Sequence, residues 1–245
     1  MTYIFSIEGN IGSGKSTLVH MLQETFGDTR DVIFLEEPVS VWNTIKDATG
    51  ETMLEKFYKD QERNAFSFQM MAYISRIALL KRAIRENPNA ILLCERSVFT
   101  DKNVFAKMLF DDGLIRDVDY QIYLKWFDEF VDEIPLTGII YVRADPEKSF
   151  ERVKKRSRKG EDIPLAYLEK CHRYHEDWMK QSTQDVMILD ANTDYEFTPQ
   201  AYASWVNIIR KFISYRAHNE LKGFEVKEQD KVDFEHAITV ARLGV

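Results

Sequence analysis

Five short apolar runs punctuate the chain: YIFSIE (3–8), VIFLEE (32–37), AILLCE (90–95), GIIYVR (138–143) and DVMILD (185–190). Each is nearly continuous instead of alternating, the pattern of strands covered on both faces. Between them lie polar and apolar residues at helical spacing. KSTLVHMLQETF places Leu18, Leu22 and Phe26 on one face with Gly27 as a stop, and EDIPLAYLEKCHRYHEDWM carries Pro164 at its first turn. Strand alternating with helix predicts an α/β fold, a five-stranded parallel sheet flanked by helices. The insertion between the second and third strands, 40–88, reads as helices ending at RENPN. It is too long for a plain crossover and is expected to wall a pocket.

Composition narrows the classes. A chain of 245 residues, 44% hydrophobic and 13% aromatic, is ample for one large domain. A net charge of −7 disfavours a nucleic-acid binder, so any phosphate must be met locally. Two cysteines, Cys94 and Cys171, are too few and too far apart for a disulfide framework and fit a reducing compartment. No apolar run approaches the roughly 20 residues of a membrane span, and the chain enters YIFSIEGN almost at once without a leader pattern. A soluble, cytoplasmic protein is expected, with no nucleic-acid or membrane partner.

The segment after the first run carries the chemistry. GNIGSGKS, Gly9 to Ser16, matches G-x-x-x-x-G-K-[ST] between a predicted strand and a predicted helix, the context that makes a P-loop. Backbone N–H groups of Gly9, Asn10, Ile11, Gly12, Ser13 and Gly14 would turn toward phosphate oxygens. Lys15 would supply a point charge, Ser16 a hydroxyl for Mg2+, and Thr17 the continuing helix N-terminus. ATP is the expected ligand. The chain has no N-K-x-D and no D-x-x-G after a strand, which disfavours a GTPase switch.

The third run ends in CERSVFTD, putting Glu95, Arg96 and Asp101 at the carboxyl end of a core strand, where open parallel sheets bind ligands. RVKKRSR places Arg152 and Arg156 one turn apart, a like-charge pairing that is disfavoured unless an anion comes between them. Cys171 and His175 also lie four apart in CHRYHEDW, but two ligands do not make a zinc site, and a helix face packed on a neighbour is expected.

Taken in order, IEGNIGSGKST, EEPVSVW, FYKDQERNAFSFQMMAYISRI, CERSVFTD, RVKKRSRKGEDIPLAYLEKCHRYHEDW and ILDANTDY resemble the deoxyribonucleoside kinase family, in its deoxycytidine and deoxyguanosine kinase branch. The resemblance covers roughly the first 215 residues. It implies a P-loop kinase fold with a helical lid, and transfer of the ATP γ-phosphate to the 5′-hydroxyl of a deoxyribonucleoside. It casts Glu37 as general base, with Glu36 as its rival, and Glu95 as the acidic partner of Ser16 at magnesium. Arg96, Arg156 and Arg158 would steady the moving phosphoryl group, with Arg152 beside the donor. Tyr58 and Glu161 would hold the sugar 3′-hydroxyl and Trp42 would pack on the substrate. Gln69 would read the base edge, with Arg76 and Asp101 at its far side, since Gln69 and Arg76 are two helical turns apart. Phe66 and Phe105 are further pocket candidates, and Asp190 and Asn192 fall in the adenine loop. A homodimer is implied too.

Residues 1–217 are therefore expected to form the kinase domain and 218–245 an appendage without a functional reading. A nucleoside monophosphate kinase shares the P-loop and the lid arginines, but it would need more basic residues in 58–76. A non-catalytic ATP-binding domain is the remaining alternative.

Overall fold

A computed structural model of the chain describes residues 2–26, 31–157, 163–192 and 199–217. Five strands, β1 (Tyr3–Glu8), β2 (Val32–Leu35), β3 (Ile91–Glu95), β4 (Gly138–Arg143) and β5 (Val186–Asp190), form one sheet in the order β2-β3-β1-β4-β5. Every pairing is parallel. The strand order reverses at β1, so its carboxyl end is the crevice where such sheets bind ligands. The register sets Ile7 level with Glu95 and Glu8 level with Tyr141, which brings the exits of β1, β3 and β4 together.

The unbroken apolar runs arise because both sheet faces are covered. Phe5, Ile7, Ile91, Leu93, Ile140 and Val142 pack with Leu18, Val19 and Leu22 of helix α1 (Lys15–Phe26), in the same cluster as Ile209 and Phe212 of the last described helix (Pro199–Ala217). Ile4, Leu92, Cys94 and Ile139 face the other way, onto Tyr73, Ile77 and Leu80 and onto Tyr123 and Phe127. Each such side chain contributes about 1.5–3 kcal/mol by leaving water.

The insertion folds as three helices, α2 (Val39–Trp42), α3 (Met53–Lys59) and α4 (Gln61–Glu86). Thr52 and Glu55 form a capping box that starts α3, and Asp60 caps α4 by accepting from the Arg63 N–H. After β3 come a short turn α5 (Val98–Thr100), a π-helical turn (Asp101–Ala106), α6 (Lys107–Asp111) and α7 (Asp117–Val131). After β4, α8 (Pro146–Arg156) and α9 (Leu165–Gln181) lean on each other through Val153, Ile163 and Leu168, joined by Ile11 of the P-loop and Tyr58 of α3.

Of the boundaries that differ from the sequence reading, two lie near the cavity. β2 ends at Leu35, opposite Cys94, which releases Glu36 and Glu37 from the ladder. α9 begins at Leu165, with Pro164 in the capping position. Arg158 and Glu161, and the proposed appendage 218–245, lie outside the described residues. Among the described residues no helix is long and apolar enough to cross a membrane.

Candidate active site

The P-loop leaves β1 at Glu8 and enters α1 at Lys15. Its glycines are required by close approach as well as by backbone angle. Gly12 has φ +80°, and a Cβ there would sit 2.4 Å from the Ser149 carbonyl oxygen of α8. Gly9 has φ +146°, and its Cβ would meet the Val142 carbonyl at 2.5 Å. The Asn10 side chain donates to the Leu168 carbonyl at 2.9 Å, tying the loop to α9. Arg152 Nη1 of α8 donates to the Ser13 carbonyl at 3.2 Å.

Lys15 is buried, 4% exposed, and its Nζ donates to the Asn10 carbonyl at 2.7 Å. Burial, seconded by the nearby Arg96 charge, brings its pKa down to about 7 against the pull of Glu95, Glu37 and Glu8. An incoming polyphosphate would favour the charged amine. The next residue, Ser16, donates its hydroxyl to Glu95 Oε1 at 2.7 Å.

Glu36 and Glu37 part company at the end of β2. Glu36 is exposed and accepts a long 3.4 Å bond from Gln23. Glu37 turns inward, where Arg96 Nη1 donates to both its oxygens at 3.1 Å and Arg76 Nη2 donates to Oε1 at 3.1 Å. Burial works to raise the Glu37 pKa, but Arg96, Arg76 and Lys15 together hold it down at about 2. The carboxylate is therefore ionised at any working pH.

Arg76 is a hub that the sequence reading foresaw only in part. Its Nε donates to Asp101 Oδ2 at 3.0 Å, as expected, while Nη1 reaches the Glu95 carbonyl at 3.1 Å and Nη2 reaches Glu37. Burial pushes the Asp101 carboxyl up to about 6 against the pull of Arg76, whose own pKa rises above its usual range. A guanidinium that cannot release its proton keeps this buried pair charged at neutral pH.

Arg96 stands at φ +62°, a left-handed backbone that is rare for a long side chain and concentrates at functional sites. Its guanidinium lies 5.4 Å over the Phe105 ring, and its buried Nε has no hydrogen-bond partner among the described residues. The Arg96 charge acts on Glu37 and Glu95 and on Lys15.

These groups line a cavity of about 1080 Å³ bounded by the P-loop, α2, α3, α4 and α8. Trp42 is anchored by its Nε1 on Ser75 Oγ at 2.8 Å, and its ring meets Phe68 edge-on at 5.8 Å. Phe68 in turn stacks on Phe57 at 4.5 Å. Tyr58 is half-buried at the cavity wall beside Phe57. Gln69 is 2% exposed, and its Oε1 accepts no hydrogen bond among the described residues. A buried acceptor in this condition costs about 1–3 kcal/mol unless a ligand supplies the donor.

Of the predicted residues, Lys15, Ser16, Glu37, Trp42, Tyr58, Gln69, Arg76, Glu95, Arg96, Asp101, Phe105, Arg152 and Arg156 all line this one cavity. Asp190 and Asn192 do not. Asn192 Oδ1 accepts from the Asp145 N–H at 2.8 Å at the start of α8, and Ala191 between them touches the cavity. Phe66 packs into the core beside the sheet, whereas Phe68, which the sequence reading passed over, faces the cavity. Cys171 and His175 are both buried, the thiol 3.8 Å from the Met108 sulfur of α6 and the ring stacked near Tyr141, as a packed helix face would be.

The donor set fits a magnesium nucleotide. A hydroxyl and a carboxylate at the P-loop are hard oxygen ligands of the number that Mg2+ takes from a protein when phosphates and water complete its shell. Among the described residues no three His, Cys, Asp or Glu side chains gather as a self-sufficient metal cage.

Comparison with known proteins agrees with the geometry. The deoxycytidine kinase 1 of Xenopus laevis is 34% identical over 240 residues, covering 85% of this chain and 89% of that protein. Human deoxycytidine kinase is 34% identical over 238 residues, covering 85% and 90%. The mitochondrial deoxyguanosine kinase of Xenopus laevis is 31% identical, covering 85% and 89%. Residues 5–214 match the family model of deoxynucleoside kinase. With a P-loop at the sheet's switch point and a charged, aromatic-walled cavity beside it, the chain belongs to the deoxynucleoside kinase family and is an ATP-dependent kinase of deoxynucleosides.

Proposed function

We propose that the enzyme transfers the γ-phosphate of ATP to the 5′-hydroxyl of deoxycytidine, deoxyadenosine or deoxyguanosine in preference to thymidine, in nucleotide salvage. The observation that carries this reading is the continuous set of contacts from the phosphate loop through Glu37 to the Arg76–Asp101 pair and Gln69. It joins a phosphoryl-transfer end to a polar base-reading end inside one cavity.

At the transfer end, P-loop amides and Lys15 receive the β- and γ-phosphates, and Arg96, Arg152, Arg156 and Arg158 neutralise the charge spread over the moving phosphoryl group. Ser16 and Glu95 would hold Mg2+, which would supply positive charge against the developing charge of the phosphates. Glu37 Oε1 accepts from two guanidinium groups, while Oε2 accepts only from Arg96 among the described residues, so Oε2 takes the 5′-hydroxyl proton. At the other end, Trp42 and Phe68 pack on the nucleoside, Tyr58 and Glu161 hold the 3′-hydroxyl, and Gln69 offers the base edge a donor and an acceptor together.

Thymine fits this end poorly. Its 5-methyl would press on Arg76 and Asp101 and desolvate them without a hydrogen bond, at roughly 1–3 kcal/mol. A panel of the four deoxynucleosides with ATP and magnesium is expected to place thymidine last by about tenfold or more in kcat/KM. The double variant Arg76→Met with Asp101→Ala removes the pair together, leaves Glu37 paired with Arg96 alone, and is expected to move the preference toward thymidine. Thymidine as the best substrate of the unmodified enzyme would refute the assignment of the pair.

The enzyme works as a homodimer on this reading. Val118, Ile122 and Trp126 repeat every four residues along the outer face of α7, 64%, 41% and 48% exposed, with Ile74 of the adjoining α4 at 54%. A second copy is the occupant that would cover this stripe. Sedimentation should give twice the monomer mass, and Trp126→Glu should return monomers; a monomeric parent protein would contradict it. The free, buried Cys94 and Cys171 support a reducing, cytoplasmic setting.

A further inference from the structure

We infer that Glu8 is a positioning residue of the transfer site: its buried carboxylate holds the turn from Arg96 to Asp101, and thereby aims the phosphate-facing and the base-facing charges together. The inference rests on the kinase reading above and adds to it a residue that touches neither substrate.

Glu8 is the last residue of β1 and is fully buried. A carboxylate in such a place must be hydrogen-bonded or it destabilises the fold. Glu8 Oε1 accepts the Ser97 hydroxyl at 2.6 Å, and Oε2 accepts the Thr100 hydroxyl. Both donors belong to the turn that leaves β3, two strand exits brought level by the β1–β3 register.

The Ser97 bond comes at a local sacrifice. Ser97 occupies the N-cap position of α5, where a serine hydroxyl ordinarily accepts from the helix N–H groups, yet it makes no side-chain cap bond there. Its hydroxyl is committed to Glu8 instead. The residue before it is Arg96, held at φ +62° with its own N–H on the Ile7 carbonyl at 3.0 Å. A left-handed arginine persists only where its surroundings over-determine it, and the backbone bond to Ile7 and the side-chain bond from Ser97 to Glu8 fix it from both sides.

Thr100 does the same at the far end of the turn. It immediately precedes Asp101, where the backbone passes into a π-helical turn that spans Asp101–Ala106. Single π-turns recur at functional sites because they re-aim side chains. With Thr100 pinned to Glu8, Asp101 points back to Arg76 and Phe105 lies under Arg96. One carboxylate thus sets two side chains that are five residues apart in sequence and serve opposite ends of the substrate.

The test compares Glu8→Leu, of similar bulk but with no acceptor, with Glu8→Gln, which keeps one. Kinetics are read well below the melting temperature on protein shown folded by circular dichroism. Glu8→Leu is expected to lower kcat about ten- to a hundredfold, the cost of a small misplacement at a reacting centre. It should also narrow the deoxycytidine-to-thymidine ratio and leave ATP affinity within about threefold, with Glu8→Gln recovering most of both losses. Should Glu8→Leu not fold, Ser97→Ala, which removes one of the two donors, is expected to show the same pattern at smaller size. A variant that melts earlier yet keeps wild-type kcat and base ratio would reduce Glu8 to a core residue and overturn the inference. A crystal structure of the folded variant reads the turn directly: Arg96 still left-handed and still on Glu37 would overturn it whatever the reaction. Wild-type enzyme that phosphorylates no nucleoside would refute the kinase reading instead, with the crystal structure left to decide the role of Glu8.

Discussion

Lys15→Ala is expected to lower phosphoryl transfer by about 10³-fold or more, since on the proposed reading it removes the buried cation that would meet the β- and γ-phosphates where their charge develops. The same change should not weaken the fold. Burial holds the Lys15 pKa near 7, below the 10.5 of a free amine, so the folded chain binds fewer protons than the unfolded chain between those values. The contribution of Lys15 to stability therefore rises as pH climbs from about 7 toward 10.5, and at neutral pH the charged amine is a burden that alanine relieves. Thermal melts at pH 7 are expected to place the variant at or above the parent, with ATP binding weakened by calorimetry. Retained kinase activity would remove the P-loop mechanism, and a large fall in melting temperature would show that Lys15 supports the fold.

Glu37→Gln is expected to cost on the order of 10² or more in kcat with nucleoside KM nearly unchanged, because the amide keeps the shape and loses the proton acceptor. The direction of its pKa shift adds a second check. Glu37 is ionised above about 2, so the acid limb of the wild-type pH profile should carry no step near the ordinary glutamate range from this residue. A base of such low pKa suits a transfer in which the hydroxyl gives up its proton late, after the phosphoryl group has largely left its donor. Wild-type turnover in Glu37→Gln would pass the role to Glu36 or to water, and Glu36, exposed at the cavity rim, is the poorer candidate by position.

Most of the scaffold was legible because it rests on long patterns. All five strands fall where the apolar runs place them, and the G-x-x-x-x-G-K-S loop marks the switch point of the sheet. Gln69 and Arg76 reach one cavity because seven residues make two helical turns. The same helical phase explains the error over phenylalanines. Phe66, Met70, Tyr73 and Ile77 form the i, i+4, i+7, i+11 stripe that faces the core, which leaves Phe68 beside Gln69 on the cavity side.

What was not legible depends on single backbone angles and long-range contacts. VFTDKNVFAKML reads as ordinary helix, and nothing in it announces a π-turn at Asp101. Arginine gives no sign that it will stand at positive φ, so the aim of Arg96 was out of reach. The bond from Arg76 to Glu37 depends on β2 ending two residues early, which the apolar run with its two glutamates concealed. Glu8 could have been found, since a carboxylate closing a buried strand poses the question that singled out Glu95.

The central claim is that the cavity joins a phosphate loop to a nucleoside site, and the acceptor tests it most directly. Purified enzyme with ATP and magnesium would be given deoxycytidine in one reaction and its 5′-monophosphate in another, with ADP release followed and products identified by chromatography. The account predicts the 5′-monophosphate from deoxycytidine and no transfer to the monophosphate above background. ADP release with the monophosphate alone, or with neither acceptor, would contradict it.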